Sequence, residues 1–134
     1  MRFIIPGNPQ AQGRPRFARI GKFVRTYDPA ESVSFKNKVA LFARDSGAQL
    51  FETDRPLTLK VKFFLKRPKN KMRRKDSINA IGCAKKPDLD NLVKAILDGL
   101  NGIIYRDDGQ VQKCEAEKYY HEIGGAPRTE IEIF

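Results

Sequence analysis

The sequence predicts a single α+β domain over residues 1–134, a small mixed sheet of about four to five strands carrying two principal helices. Three observations lead there. Leu57, Leu59, Val61, Phe63 and Leu65 alternate with Thr58, Lys60, Lys62, Phe64 and Lys66, the two-residue period of a half-buried strand. Between Asn91 and Asn101, Leu92, Val93, Ile96, Leu97 and Leu100 share one broad helical face with Leu89, while Asp90, Lys94 and Asp98 fall opposite. Asp28-Pro29-Ala30-Glu31 is a helix start, with Asp as cap, Pro at the first position and Glu completing a capping-box-like pair. A chain of this length buries roughly two-thirds of its unfolded surface and needs neither a disulfide framework nor a structural metal. Cys83 and Cys114 read as free thiols in a reducing compartment.

Taken in order, Arg2 to Ile5 reads as a first strand. Residues 6–27 are basic and aromatic, with Arg14, Arg16, Phe17, Arg19, Lys22, Phe23 and Arg25. Two readings stay open for them: arginines gripping phosphates with phenylalanines stacked on unpaired bases, or a hairpin centred on Gly21 whose phenylalanines tuck into the core. The capped helix runs through Val33, Val39, Ala40, Phe42 and Ala43 and ends near Gly47. After the alternating strand, residues 67–86 carry Lys69, Lys71, Arg73, Arg74, Lys75, Lys85 and Lys86 among few large apolar side chains, which predicts a segment mobile when unbound. It leads straight into Asp88, so its cations are placed to hold a DNA backbone; a solvated tether is the plainer alternative. The second helix stops at Asn101-Gly102. Ile103, Ile104 and Tyr105 then read as a short strand before an Asp107-Asp108-Gly109 turn. Val111 to Tyr120 and Arg128 to Phe134 read as the last two strands, separated by Gly124-Gly125-Ala126-Pro127.

Lys plus Arg number 26 against 16 Asp plus Glu, a formal net charge of +10, which points to a polyanionic partner. No helix-turn-helix, zinc-finger or RNP pattern marks a reader of base sequence. No apolar run approaches the ~18 residues of a membrane span, so a soluble cytoplasmic protein is expected. Against this basic background, the stretch from Lys86 to Val111 concentrates Asp88, Asp90, Lys94, Asp98, Asp107 and Asp108. An extended return of about 20 Å after the helix would bring Asp107 and Asp108 level with its N-terminus, beside Asp88 and Asp90. Singly, each has a bland reading as a helix cap, an i,i+4 surface pair or a turn residue. Jointly, crowded carboxylates repel unless a cation neutralises them, and oxygen-only ligands select Mg²⁺ or Mn²⁺ over zinc. His121 has no identifiable partner as a general base, and Glu115 and Glu117 read as exposed strand residues.

Asp88-Leu89-Asp90-Asn91-Leu92, then Lys94, Asp98 and Leu100, then Asp107-Asp108-x-Gln110-Val111, resemble the signature of the RusA Holliday junction resolvases, a family common in prophages. The opening Ile5-Pro6-Gly7 and Gly13-Arg14-Pro15-Arg16-Phe17 is similar to a phage and Gram-positive branch. The resemblance implies a Mg²⁺-dependent endonuclease, with Mn²⁺ as the alternative ion, that resolves four-way DNA junctions by paired nicks as a homodimer in recombination or repair. Carried over by position, it makes Asp88, Asp90 and Asp108 the metal-binding carboxylates and Lys94 the catalytic lysine; Asp98 and Asp107 match the pattern without an assigned role. Arg14, Arg16, Lys69, Lys71, Arg73, Arg74, Lys75 and Lys86 are the expected DNA contacts. The alternatives are a non-catalytic nucleic-acid-binding module and a nuclease acting on flaps or other branched DNA.

Overall fold

The computed structural model describes residues 1–13, 16–27 and 30–134. Arg14, Pro15, Asp28 and Pro29 lie outside the described residues, as does the side chain of Arg16, so the expected cap at Asp28 and contact at Arg14 fall there too. The elements are β1 (Arg2–Pro6), β2 (Arg16–Ile20), β3 (Phe23–Tyr27), α1 (Ala30–Asp45), β4 (Leu57–Leu65), β5 (Ile81–Gly82), α2 (Leu89–Leu100), β6 (Val111–Tyr120) and β7 (Arg128–Ile133). Five strands form one mixed sheet in the order β1-β7-β4-β6-β5, and β2 and β3 form a separate hairpin. Within the sheet β4 and β6 run parallel, and every other neighbouring pair is antiparallel. This is the α+β architecture expected from the alternating strand and the two periodic helices.

The parallel pair explains where the acidic stretch sits. Two parallel neighbours cannot be joined by a hairpin, so the chain must leave the end of β4 and return to the start of β6. That crossover contains the basic segment, α2 and the Asp107-Asp108 turn. Central strand β4 directs Leu57, Leu59, Val61 and Phe63 into a core shared with Phe35 and Val39 of α1 and with Leu92, Ile96 and Leu100 of α2. The helices cross closely at Gly99, where an added Cβ would lie 2.8 Å from Val39 Cβ.

The opposite sheet face is charged. Pairing registers align Arg2, Glu132, Lys60 and Glu115 in one cross-strand row and Ile4, Glu130, Lys62 and Glu117 in the next. The rows are knit by Arg2–Glu132 at 3.0 Å, Lys60–Glu115 at 3.7 Å and Lys62–Glu117 at 3.6 Å. Glu115 and Glu117 are therefore lysine partners, in keeping with their reading as strand residues. Phe64 is the exception to the outward polar pattern: the Arg128 guanidinium lies 4.0 Å from its ring centroid, and Tyr119 stacks on it at 5.6 Å.

One local expectation is corrected. Ile103 to Tyr105 do not form a strand. Gly102, at φ 76°, donates its N–H to Tyr105 O at 2.8 Å, and the N–H groups of Ile103 and Ile104 both return to Leu100 O at 3.1 Å. A single Asn101–Tyr105 bridge is all the pairing that results. Their β-branched and aromatic character serves burial instead: all three side chains are buried against the sheet-and-helix core, and the place beside β4 is already taken by β6. Residues 67–86 are built around Arg67. This arginine is only 1 % exposed and donates to Lys71 O at 2.8 Å, Asn79 O at 2.9 Å and Ser77 O at 2.6 Å. One guanidinium satisfies three backbone carbonyls, and Ile81 and Cys83 add a small apolar cluster with Leu65 and Tyr120.

Candidate active site

Asp88 occupies the cap position of α2, with extended backbone (φ −70°, ψ 143°), yet its carboxylate makes no capping hydrogen bond. It lies 3.3 Å from Lys86 Nζ instead. Asp90, in the first turn of α2, accepts from its neighbour's N–H, Asn91 N, at 2.9 Å. The approach to Asp88 is tethered from the sheet: Lys118 on β6 donates to Lys85 O at 2.6 Å and to Pro87 O at 2.7 Å. A single ammonium therefore holds two carbonyls of the approach to the helix, those of Lys85 and Pro87.

Lys94 does not pair with Asp90. Its Nζ is 3.1 Å from Asp98 Oδ1, one turn onward, and 3.8 Å from Asp108 Oδ2 on the returning segment. The hydrogen bond with Asp98, followed by that residue's charge, raises the Lys94 pKa, with a smaller contribution from Asp108. Lys94, Asp98 and Asp108 thus meet in space, across the 14-residue separation that the tight turn after α2 closes.

The returning segment is held by buried contacts. Tyr105 is fully buried and donates its hydroxyl to Leu97 O at 2.7 Å. Burial, with the nearby Asp108 and Asp98 charges, pushes its pKa up, so it remains a neutral donor. Gln110 accepts from Arg106 N at 3.1 Å and donates to Glu52 O at 2.9 Å, clamping the turn to the loop before β4. The two adjacent aspartates differ in use. Asp107 caps the short 3-10 turn Asp108–Gln110, accepting from Gly109 N at 3.2 Å, whereas Asp108 faces Lys94.

The structure therefore assembles Lys94, Asp98 and Asp108 as one group and places Asp88 and Asp90 at the helix start beside Lys86. Among the described residues, no three His, Cys, Asp or Glu side chains are close enough to hold a metal ion together. The donor chemistry fits a hard divalent cation, being carboxylate oxygen throughout; the crowding that the sequence suggested is replaced by lysine contacts at Asp88 and Asp108. The expected DNA-contacting cations line the crossover. Lys69 and Lys71 lie on a 3-10 turn, Arg73 pairs with Asp76 at 3.2 Å, and Arg74, Lys75 and Lys86 are exposed. Nothing local in the sequence marks Lys118, Arg67 or Tyr105 for these contacts, which depend on partners distant along the chain. Only Gln110 carried a signal, through its fixed place after the aspartate pair.

A model of the family described as "Endodeoxyribonuclease RusA" matches residues 6–134. The chain belongs to the RusA endodeoxyribonuclease family. It is also 39 % identical over 139 residues to "Uncharacterized protein YqaN" of Bacillus subtilis (strain 168), covering 99 % of this chain and 94 % of that protein. Membership makes DNA the substrate class and phosphodiester hydrolysis the reaction class, in a family whose nucleases are generally metal-dependent. Within the RusA match, the crossover from Lys86 to Val111 combines acidic side chains with a buried scaffold. No helix among the described residues is long and apolar enough to cross a membrane.

Proposed function

We propose that this protein is a Mg²⁺-dependent, structure-selective endodeoxyribonuclease that resolves Holliday junctions by paired nicks, acting as a homodimer in recombination or repair. The observation that carries the reading is the meeting of Lys94 with Asp108 across the crossover, one helical turn beyond Asp90, in a RusA-family chain. Asp88, Asp90 and Asp108 are the proposed metal ligands. The lysine contacts of Asp88 and Asp108 are surface pairs, each worth ~0–1 kcal/mol, which a doubly charged ion could displace. Held by these carboxylates, such an ion would supply Lewis acidity, making a water easier to deprotonate and offsetting charge on the phosphate. Lys94 supplies fixed positive charge beside that phosphate as negative charge builds in the transition state, and Asp98 holds the ammonium in place at 3.1 Å. Lys69, Lys71, Arg73, Arg74, Lys75 and Lys86, together with Arg14 and Arg16, supply phosphate contacts that position the DNA without reading bases.

The test is a synthetic four-way junction incubated with purified protein, with and without Mg²⁺. Symmetrically paired nicks that need the ion, and that vanish in Asp90→Asn while junction binding persists, are expected. Binding without ion-dependent cleavage would instead identify a non-catalytic module. Equal cutting of flaps would remove the junction selectivity.

A further inference from the structure

The β2–β3 hairpin is left over once the fold and the acidic site are accounted for. Gly21, at φ 59°, turns the chain between the strands, and the register pairs Phe17 with Thr26, Arg19 with Val24 and Ile20 with Phe23. The phenylalanines do not enter the core: Phe17 is 74 % exposed and Phe23 79 %, and every residue of β3 is exposed. A two-stranded hairpin is marginal in water without a surface to cover it.

Two features say what that surface is. Facing residues of an antiparallel pair share a side, so Phe17, Arg19 and Val24 lie on one side and Ile20, Phe23 and Arg25 on the other. Each side is apolar and cationic together, whereas a hairpin built to lie on a protein would keep its apolar residues on one side. The charge has one sign: no acidic residue occurs between Met1 and Tyr27. The root of the hairpin is tied to the acidic site. Gln12 N donates to Asn91 O at 3.0 Å, on the first turn of α2 next to Asp90, and Gly13 N donates to Ser32 Oγ at 2.8 Å. A five-residue strand reaches about 17 Å from such a root, the length of roughly five stacked base pairs at 3.4 Å per step.

We propose that the hairpin is a wedge that enters the branch point of a DNA junction, with Phe17 and Phe23 stacking on bases it exposes and Arg19, Lys22 and Arg25 meeting the flanking phosphates. This rests on the nuclease reading above and adds the residues that select branched over linear DNA. Apolar side chains inserted between base steps unstack them, and each base stacked on an aromatic ring adds affinity that linear duplex does not offer.

The experiment places 2-aminopurine at the branch point of a four-way junction and adds protein without divalent ions. Wild type is expected to raise the fluorescence as the base unstacks. The Phe17→Ala/Phe23→Ala double variant is expected to lose most of that rise, and its preference for junction over duplex to fall by about tenfold. Restoring aromatic rings with Phe17→Trp/Phe23→Trp recovers both readouts. A double variant with wild-type fluorescence and preference overturns the wedge. So does an equal loss of junction and duplex affinity, or a change from dimer to monomer with the fluorescence rise intact, which would make the hairpin an arm between copies. If wild type opens the branch point but does not cut with Mg²⁺, the catalytic reading fails alone. If it cuts and the double variant keeps its preference, the wedge fails alone.

Discussion

Asp107 and Asp108 are neighbours in sequence with opposite employment. The first spends its carboxylate on Gly109 N, as a turn residue does, and the second lies 3.8 Å from Lys94. Asn keeps the oxygen that caps the turn but lacks the charge a metal or ammonium needs. Asp107→Asn should therefore retain cleavage within about threefold, because a cap oxygen survives, while Asp108→Asn should lower it by at least about a hundredfold. Initial rates on a labelled junction check both, and equal losses would contradict the division of roles. Lys118 is a positioning residue by the same reasoning, since its ammonium donates to the carbonyls of Lys85 and Pro87. Lys118→Met should cost about 1–3 kcal/mol in stability and raise the Mg²⁺ concentration for half-maximal cleavage. An unchanged Mg²⁺ dependence would reduce Lys118 to a purely structural contact.

At the scale of elements, the crossover between β4 and β6 depends on two contacts that no periodicity announces. Arg67 is the centre of the basic loop, and removing its guanidinium leaves three carbonyls without their donor. Arg67→Met should destabilise the protein by about 2–4 kcal/mol, on the scale of orphaned buried acceptors, and open residues 68–86 to proteolysis. A loop as resistant as wild type would show that other contacts hold it. The helix crossing is the second. An added methyl at Gly99 would lie 2.8 Å from Val39 Cγ1 and 3.3 Å from Lys36 O, so α1 and α2 must separate to admit it. Gly99→Ala should cost about 1–3 kcal/mol in urea unfolding, as overpacking does, despite the better helix propensity of alanine. A neutral or stabilising result would mean that the helices slide apart freely.

Across the whole molecule, charge is segregated. On the open sheet face, lysine and arginine alternate with glutamate in paired rows. The excess lies elsewhere, in the acid-free hairpin and in residues 66–86, where Asp76 is the single acid. DNA affinity should therefore fall steeply with salt, with a log–log slope on the order of −5 for about six phosphate contacts on duplex. Neutralising Arg74 and Lys75 together should reduce the slope by about 2, measured by fluorescence anisotropy. A slope near zero would remove phosphate contact as the basis of binding.

What the sequence determined by itself follows from short-range physics. The two-residue period of β4, the apolar stripe of α2, its stop at Asn101-Gly102 and the spacing of the acidic motif are all local, and each element was recovered within a residue or two. Tertiary structure decided what depends on distant partners. Ile103 to Tyr105 have strand-forming side chains, but core burial and an occupied neighbour of β4 make them a turn. Arg67 reads as one more cation in a basic run until three carbonyls surround it. Phe17 and Phe23 had two equal futures, core or surface, and only the packing of the remaining chain excluded them from the core. Lys94 shows the division most clearly: its helical spacing offered both Asp90 and Asp98, and the ammonium sits where Asp98 and the returning Asp108 attract it together. Coulomb attraction acts through space, so which of the possible partners an ammonium takes is settled by the path of the chain.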